Sequence, residues 1–335
     1  MNVSNTIKII AAYALLAGVS AVFAAENVVF ATNWKAQAGH GGFYQALADG
    51  TYAKYGLNVK IAQGGPQVNN RPMLVSGEVD FLMGGNLLHS FDNIKNGMPT
   101  VVVAAIFQKD PQALLAHPGQ GYDSFAALAK APAMFIAKDA QFSFWPWLRA
   151  IQGFKDEQLR PYLFTLGPFL ADKKSVQQGY VTEEPATVRA QGGFDPVVYL
   201  LADHGFSTYS TTIETRTELV AKNPELVRKF VEASIIGWRN YLYGDNKAAN
   251  ALIKKDNPEM NDAILKSSVQ LMLHFGIVDS GDAKTLGIGA MRQERIADFY
   301  AKMVQAGLYQ AGDVDLRKVA TLQFVNKGLG LPAKP

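Results

Sequence analysis

Along this chain the hydrophobic and polar positions change period repeatedly, and each change marks an element. Val28-Val29-Phe30-Ala31 is a short apolar run that reads as a strand, followed by Asn33-Trp34 in a loop and the Gly39-His40-Gly41-Gly42 turn. Phe43 to Tyr55 is amphipathic with helical spacing, and Gly56 closes it. Leu57-Asn58-Val59-Lys60-Ile61 alternates with period two, as a half-buried strand does. After the Gly64-Gly65-Pro66 break, the pattern predicts a helix over 68–75, a strand over 80–83, a Gly84-Gly85-Asn86 turn and a helix over 87–95. Val101 to Phe107 is apolar throughout, the signature of a strand covered on both faces.

Strands alternating with helices at this spacing predict an α/β fold with a doubly wound parallel sheet. Ligands of such sheets sit in the crevice beyond the carboxyl ends of the strands. That rule places Trp34, Gly64-Gly65, Gly84 to Asn86 and Phe107-Gln108 around one crevice. The break at His117-Pro118-Gly119-Gln120-Gly121 predicts a crossing into a second α/β unit. This unit should hold a strand over 133–137, an aromatic loop and helix over 142–151, and a strand over 175–181. The helix over 224–243 is strongly signalled. Asn223 is its N-cap, Pro224 its first residue, Glu225 suits the positive end of the dipole, and Gly244 terminates it. Leu226, Val227, Phe230, Ile235 and Trp238 form its apolar face. Helices over 258–273 and 292–305 are expected to return to the first unit. The expected organisation is a signal peptide at 1–24, a discontinuous lobe 1 at 25–117 and 213–335, and an inserted lobe 2 at 118–212.

Composition narrows the possibilities. The 335 residues, 48% hydrophobic and 18% charged, suit a globular protein of two domains. Lys8, an uncharged apolar stretch to Phe23 and Ala24-Ala25 form the pattern of a secretory signal peptide cut after Ala24. A net charge of +3 is too small to imply a nucleic-acid partner. Cysteine is absent, which excludes disulfides, thiolate metal sites, thiol nucleophiles and a lipid anchor on cysteine. The expected product is a free, soluble, monomeric periplasmic protein.

Several segments together resemble the THI5/SsuA-like family of ABC-transporter substrate-binding proteins. They are Asn33-Trp34 through His40-Gly41-Gly42-Phe43-Tyr44, Tyr55-Gly56-Leu57-Asn58-Val59, Gly64-Gly65, Val75-Ser76-Gly77-Glu78-Val79-Asp80-Phe81, Tyr180-Val181-Thr182-Glu183-Glu184-Pro185, and Asp298-Phe299-Tyr300 to Gly307-Leu308. The resemblance implies a type II periplasmic-binding fold, with two lobes joined by two crossover strands that close on ligand. It also implies transient docking to an ABC-transporter permease. Members bind thiamin-related pyrimidines, alkyl sulfonates, nitrate-like anions or aromatic acids, so the family does not fix the ligand. An enzymatic branch, the pyrimidine synthases, uses a histidine beside a cysteine-rich, iron-binding motif, and this chain has no cysteine.

The candidate ligand-binding residues are Asn33, Trp34, His40, Gly65, Asn86, Phe107, Trp145, Tyr180 and Glu184. Indole and phenol rings offer flat apolar platforms with a polar rim, fit to sandwich a planar ring. Trp34, at a strand end, reads as a ligand contact, and Trp238 reads as core. Trp145 and Trp147 fit either role, because Pro146 can start a helix that turns one indole inward. His40 fits two readings, a donor to the ligand or a cap on the following helix. Of Glu183 and Glu184, one can accept from a ligand amino group while the other is solvated. Such a carboxylate disfavours simple anions, so a planar aromatic or heteroaromatic solute is expected ahead of an alkyl sulfonate. His89, His117, His204 and His274 share no metal-ligand spacing, and no phosphate-binding or serine-nucleophile motif is present, so neither metal nor cofactor is expected.

Overall fold

The computed structural model describes residues 25–331, apart from 66, 67, 69, 138, 139, 141, 142 and 164. The signal-peptide reading, Pro66 and Phe142 lie outside the described residues. Ten strands are described: β1 Glu26–Ala31, β2 Leu57–Ala62, β3 Phe81–Asn86, β4 Thr100–Phe107, β5 Gln112–Ala116, β6 Met134–Ile136, β7 Leu159–Pro161, β8 Val176–Tyr180, β9 Val197–Leu200 and β10 Ser210–Arg216. The helices of the first half are α1 Gly41–Ala48, α2 Thr51–Lys54, α3 Arg71–Ser76, α4 Leu87–Lys95, α5 Phe144–Gln152, α6 Gly167–Ala171 and α7 Glu184–Gly192. Those of the second half are α8 Thr217–Lys222, α9 Pro224–Tyr243, α10 Lys247–Asp256, α11 Asp262–His274, α12 Ala283–Leu286, α13 Gln293–Gln305 and α14 Leu316–Val319. No helix among the described residues is long and apolar enough to cross a membrane.

The strands form two five-stranded sheets, ordered β2-β1-β3-β10-β4 and β7-β6-β8-β5-β9, one in each lobe. β1 runs parallel to β2 and β3, and β6 runs parallel to β7 and β8. One strand in each sheet is reversed: β10 is antiparallel to β3 and β4, and β5 is antiparallel to β8 and β9. The reversal follows from the path of the chain. β5 and β10 each enter their sheet straight from the other lobe, so they run away from the crevice that their parallel neighbours run towards. The sheets are therefore mixed.

The crossings fall at 108–111 and 205–209, not at the expected 117 and 212. β5 pairs within the second sheet, so His117 lies inside lobe 2. There its Nε2 meets the Phe169 carbonyl at 2.8 Å, and its ring stacks on Phe194. The stretch from Phe43 to Tyr55 divides into α1 and α2 because Gly50 takes a φ of 73° and Asp49 Oδ1 accepts from the Thr51 N–H at 2.9 Å. Gly84 to Asn86 belong to β3 rather than to a turn. A Cβ at Gly84 would stand 2.2 Å from Glu214 Oε1 and Thr212 Oγ1, so glycine is what lets β10 lie alongside.

Lobe 1 is organised around α9, whose N-cap is Asn223 as expected, its side chain accepting from the Leu226 N–H. Phe230 on this helix stacks on Phe81 at 4.1 Å and on Tyr52 at 5.5 Å, with Phe30 at 5.3 Å. α9 also packs on α1 at very short range. Cβ atoms at Gly41 and Gly42 would stand 2.0 and 2.1 Å from the rings of Tyr241 and Trp238.

Candidate functional site

Three loops at the carboxyl ends of the lobe 1 strands carry candidate residues. After β1, Asn33 is exposed and Trp34 half-buried. Gly65, after β2, is buried in a turn closed by a Val68 N–H bond to its carbonyl at 3.0 Å. Asn86, at the end of β3, caps α4, its Oδ1 accepting from the Leu88 N–H at 3.1 Å. Its Nδ2 donates to Asp110 Oδ2 at 3.2 Å. Lobe 2 contributes Tyr180, the last residue of β8, and Glu184, the first of α7.

Asn86 and Tyr180 lie on either side of Asp110, which is in the first crossing segment and is 2% exposed. Asp110 Oδ1 accepts from the Gln112 N–H at 2.9 Å, and Gln112 is the partner of Tyr180 in the β5–β8 register. The Tyr180 N–H donates to Glu184 Oε2 at 2.7 Å, and the Tyr162 hydroxyl donates to Glu184 Oε1 at 3.2 Å. Burial pushes the carboxyls of Asp110 and Glu184 above the usual carboxylate range. Burial, then the charges of Asp110 and Glu184, raise the Tyr180 phenol as well. Thus Asp110, which sequence reasoning did not single out, links Asn86 to the strand pair that carries Tyr180, and Glu184 joins through the Tyr180 N–H. The available signal was Asp110-Pro111 immediately after the buried strand β4.

Two expected contacts are instead packing residues. Phe107 is 2% exposed and sits edge-on to Trp238 at 5.3 Å, because β4 is covered on both faces to its last residue. Trp145 is 2% exposed, its ring edge-on to Phe154 and its Nε1 donating to Asp156 Oδ1 at 2.9 Å. Trp147 is likewise buried, against Phe206. Pro146 lies in the first turn of α5, which begins at Phe144, and both indoles turn inward.

His40 and Glu183 present a different problem. His40 is fully buried and makes no capping bond to α1, and neither ring nitrogen has a partner. Burial pushes its imidazole down to about 3, so it is neutral. Glu183, at the N-cap position of α7, also makes no capping bond, and its Oε1 is buried without a partner. His89, in the first turn of α4, is exposed, and its ring lies 3.0 Å from where a Cβ on Gly85 would stand.

The two crossings are held from one side. Arg295 on α13 donates to the carbonyls of Gln108 in the first crossing and of Ser207 and Thr208 in the second, the last two at 3.1 and 3.4 Å. Its guanidinium lies 4.1 Å from the centre of the Tyr209 ring and pairs with Asp282 at 3.3 Å. A separate hollow of about 700 Å³, lined by Met98, Pro99, Thr100, Asp313, Arg317 and Lys318, opens at the opposite end of the lobe 1 sheet.

The family model described as NMT1/THI5 like matches residues 37–248. The riboflavin-binding protein RibY of Chloroflexus aurantiacus is 30% identical over 161 residues, 46% of this chain and 44% of that protein. The chain therefore spans less than half the length of this curated relative. The periplasmic aliphatic sulphonate binding protein SsuA from Escherichia coli is similar in structure, with a TM-score of 0.59 at 16% identity over 91% of this chain and 99% of that one. The desulfurization enzyme DSZB matches with a TM-score of 0.51 at 12% identity, again over 91% and 99%. A family match covering well over half the chain, together with two mixed sheets joined by two crossings, shows that this chain belongs to the NMT1/THI5-like family and has the two-lobe fold of periplasmic binding proteins.

Proposed function

We propose that this chain is the soluble periplasmic receptor of an ABC importer. It captures a small planar heteroaromatic or aromatic solute between its lobes, delivers it to a permease and performs no chemistry on it. The observation that carries the ligand class is the Asn86-Asp110-Tyr180-Glu184 cluster where the two sheets meet. It consists of carboxyl, amide and phenol groups, and the basic residues on the adjoining loops are already paired. Lys35 is bound to Glu259 at 2.9 Å and Arg71 to Glu214 at 3.5 Å. Carboxylates at a desolvated site repel a sulfonate or nitrate, whereas they accept from a ring amino or imide N–H. Trp34, half-buried beside the same crevice, supplies an aromatic platform. The partial match to a riboflavin-binding protein supports a heteroaromatic ligand, with thiamin-type pyrimidines and aromatic acids as the neighbouring classes.

Calorimetry with riboflavin, a thiamin-type pyrimidine, benzoate and butanesulfonate tests this reading. One of the three planar compounds should bind and the sulfonate should not. Trp34→Ala should lower the affinity about thirtyfold, since a buried aromatic anchor contributes on the order of 2 kcal/mol. Preferential binding of butanesulfonate, or unchanged affinity in a folded Trp34→Ala variant, would overturn it.

A further inference from the structure

The C-terminal end of α1, the end away from His40, meets the turn between α9 and α10 in a group of oxygens. Asp49, the C-cap of α1, holds its Oδ1 on the Thr51 N–H at 2.9 Å. Its Oδ2 accepts from Asn240 Nδ2 at 2.9 Å and from Gln45 Nε2 at 3.3 Å. The same Gln45 Nε2 lies 3.3 Å from the Asp245 carbonyl oxygen. Gln45 is 4% exposed, and its Oε1 is buried with no hydrogen-bond partner among the described residues. Folded proteins rarely leave a buried acceptor without a donor, because it carries a desolvation cost.

The backbone fixes these groups. α1 crosses α9 at very short range, since a Cβ at Gly237 would stand 2.3 Å from the Gly42 carbonyl oxygen. Gly244 closes α9, and a Cβ there would stand 2.7 Å from the Asn240 carbonyl oxygen. Glycine is therefore what lets the chain turn and bring the Asp245 carbonyl back to α1. Asp245 itself is exposed, which opens the group to solvent, and its Oδ1 accepts from the Lys247 N–H at 3.1 Å.

A half-turn of the Gln45 amide exchanges its oxygen and nitrogen. Oε1 would then face Asp49 Oδ2 and the Asp245 carbonyl oxygen, each at the 3.3 Å now spanned by long hydrogen bonds. Oxygens at that spacing repel one another unless a cation lies between them. At calcium–oxygen bonds of about 2.3–2.6 Å, ligands at right angles stand roughly 3.3–3.7 Å apart, the same spacing. Every group in the set offers oxygen, which suits a hard cation rather than zinc or copper.

We propose that Gln45, Asp49 and Asp245 bind a hard divalent cation of calcium's size, which ties the turn between α1 and α2 to the turn between α9 and α10. The Asp49 carboxylate supplies charge, Gln45 Oε1 and the Asp245 carbonyl supply neutral ligands, and water completes the shell. Asn240 keeps its bond to Asp49 Oδ2, while the ion takes the place of Gln45 Nε2. Lys54 Nζ lies 3.5 Å from the Asp49 carbonyl oxygen and works against the ion. With few charged ligands the expected Kd is about 10⁻⁴–10⁻³ M, the weak end of calcium sites. The site lies within lobe 1 and does not depend on the receptor reading.

Protein dialysed against EDTA is titrated calorimetrically with CaCl2. Thermal unfolding is followed in CaCl2, MgCl2 and NaCl at equal ionic strength, for the wild type, Gln45→Glu, Gln45→Leu and Asp49→Asn. Calcium at about ten times its Kd should raise the melting temperature of the wild type by about 2–3 °C beyond NaCl. Magnesium should do less, because it gives up its water reluctantly. Gln45→Glu adds a second carboxylate and should bind calcium at least fivefold more tightly. Gln45→Leu and Asp49→Asn should bind it at least tenfold more weakly. A glutamine that only packs and donates predicts neither change. The proposal fails if the wild type shows neither a heat of calcium binding nor a calcium-specific shift in melting. It fails equally if Gln45→Glu and Gln45→Leu bind calcium alike, because the ion would then lie elsewhere. If Asp49→Asn does not fold, the two Gln45 variants decide the question.

Discussion

The two lobes follow the same strand plan, four strands running towards the crevice and one running away, yet they are built to different standards. Lobe 1 has strands of six to eight residues, with β4 buried at every position. Lobe 2 has strands of three to five residues, and β9 is half-buried along most of its length. α9, with 20 residues, spans the lobe 1 core and gathers three aromatic rings around Phe230, whereas α5 and α7 have nine residues each. Even the crossings are held by lobe 1, through Arg295 on α13. The difference predicts unequal parts in the capture proposed above, with lobe 1 the frame and lobe 2 the part that moves against it.

The largest effect expected from this asymmetry is on stability. Phe230→Ala removes the ring that Phe30, Tyr52 and Phe81 share and should destabilise the protein by about 3–5 kcal/mol, the range for deep aromatic truncations. Phe169→Ala in lobe 2 should cost clearly less, because among the described residues the rings nearest to it are His117 at 4.5 Å and Phe194 at 6.4 Å, against three rings within 5.5 Å of Phe230. Urea unfolding of both variants checks this, and equal losses would erase the distinction between frame and moving part.

A smaller effect belongs to the crossings. Arg295→Ala deletes hydrogen bonds from a charged donor to both segments and should destabilise by roughly 2 kcal/mol. The more telling readout is the spread of distances between spin labels placed one on each lobe. The variant should broaden it, because hinge residues then absorb backbone change without a restraint. An unchanged distribution would mean that the segments hold themselves and that Arg295 only packs on Tyr209.

The same asymmetry explains which parts of the structure were legible in the sequence. Lobe 1 elements announce themselves locally. Asn223, Pro224 and Gly244 bracket α9, and Val101 to Phe107 could only be a covered strand. The first crossing was misplaced because Ala113 to Ala116 is apolar and continues the run of lobe 1 in appearance, while the Pro-Gly break follows it. Which sheet β5 joins depends on its pairing with β8, more than 60 residues away, as in the bond from Gln112 Nε2 to the Gly179 carbonyl. The site was legible in part for a similar reason. Among the candidates, Asn86 and Tyr180 end strands and Glu184 opens the helix after β8, but Asp110, which binds Asn86, lies on a crossing whose position was not foreseen. For Glu183 and Glu184 the sequence offered two equivalent carboxylates. Only the fold shows that Glu184 is bound on both oxygens while Glu183 retains a buried one that is not.

The smallest expected effect tests the reassigned tryptophan. Trp145 lies in an aromatic run that reads as a ligand platform, yet its indole is packed inside lobe 2 and bonded to Asp156, 11 residues further on. Trp145→Phe keeps a ring in the same space and deletes the N–H. Asp156 loses little, because its carboxylate is more than half exposed and still pairs with Arg149. No buried acceptor is therefore stranded, which is the circumstance in which losing a hydrogen bond costs least. The melting temperature should fall by less than about 4 °C, and affinity for whichever planar probe binds should stay within twofold of the wild type. Trp34→Ala, measured alongside, should show the opposite pattern, with stability retained and affinity lost. A tenfold loss of affinity in Trp145→Phe would return that indole to the binding surface, and lobe 2 would then supply an aromatic wall as well as the carboxyl and phenol groups at its edge.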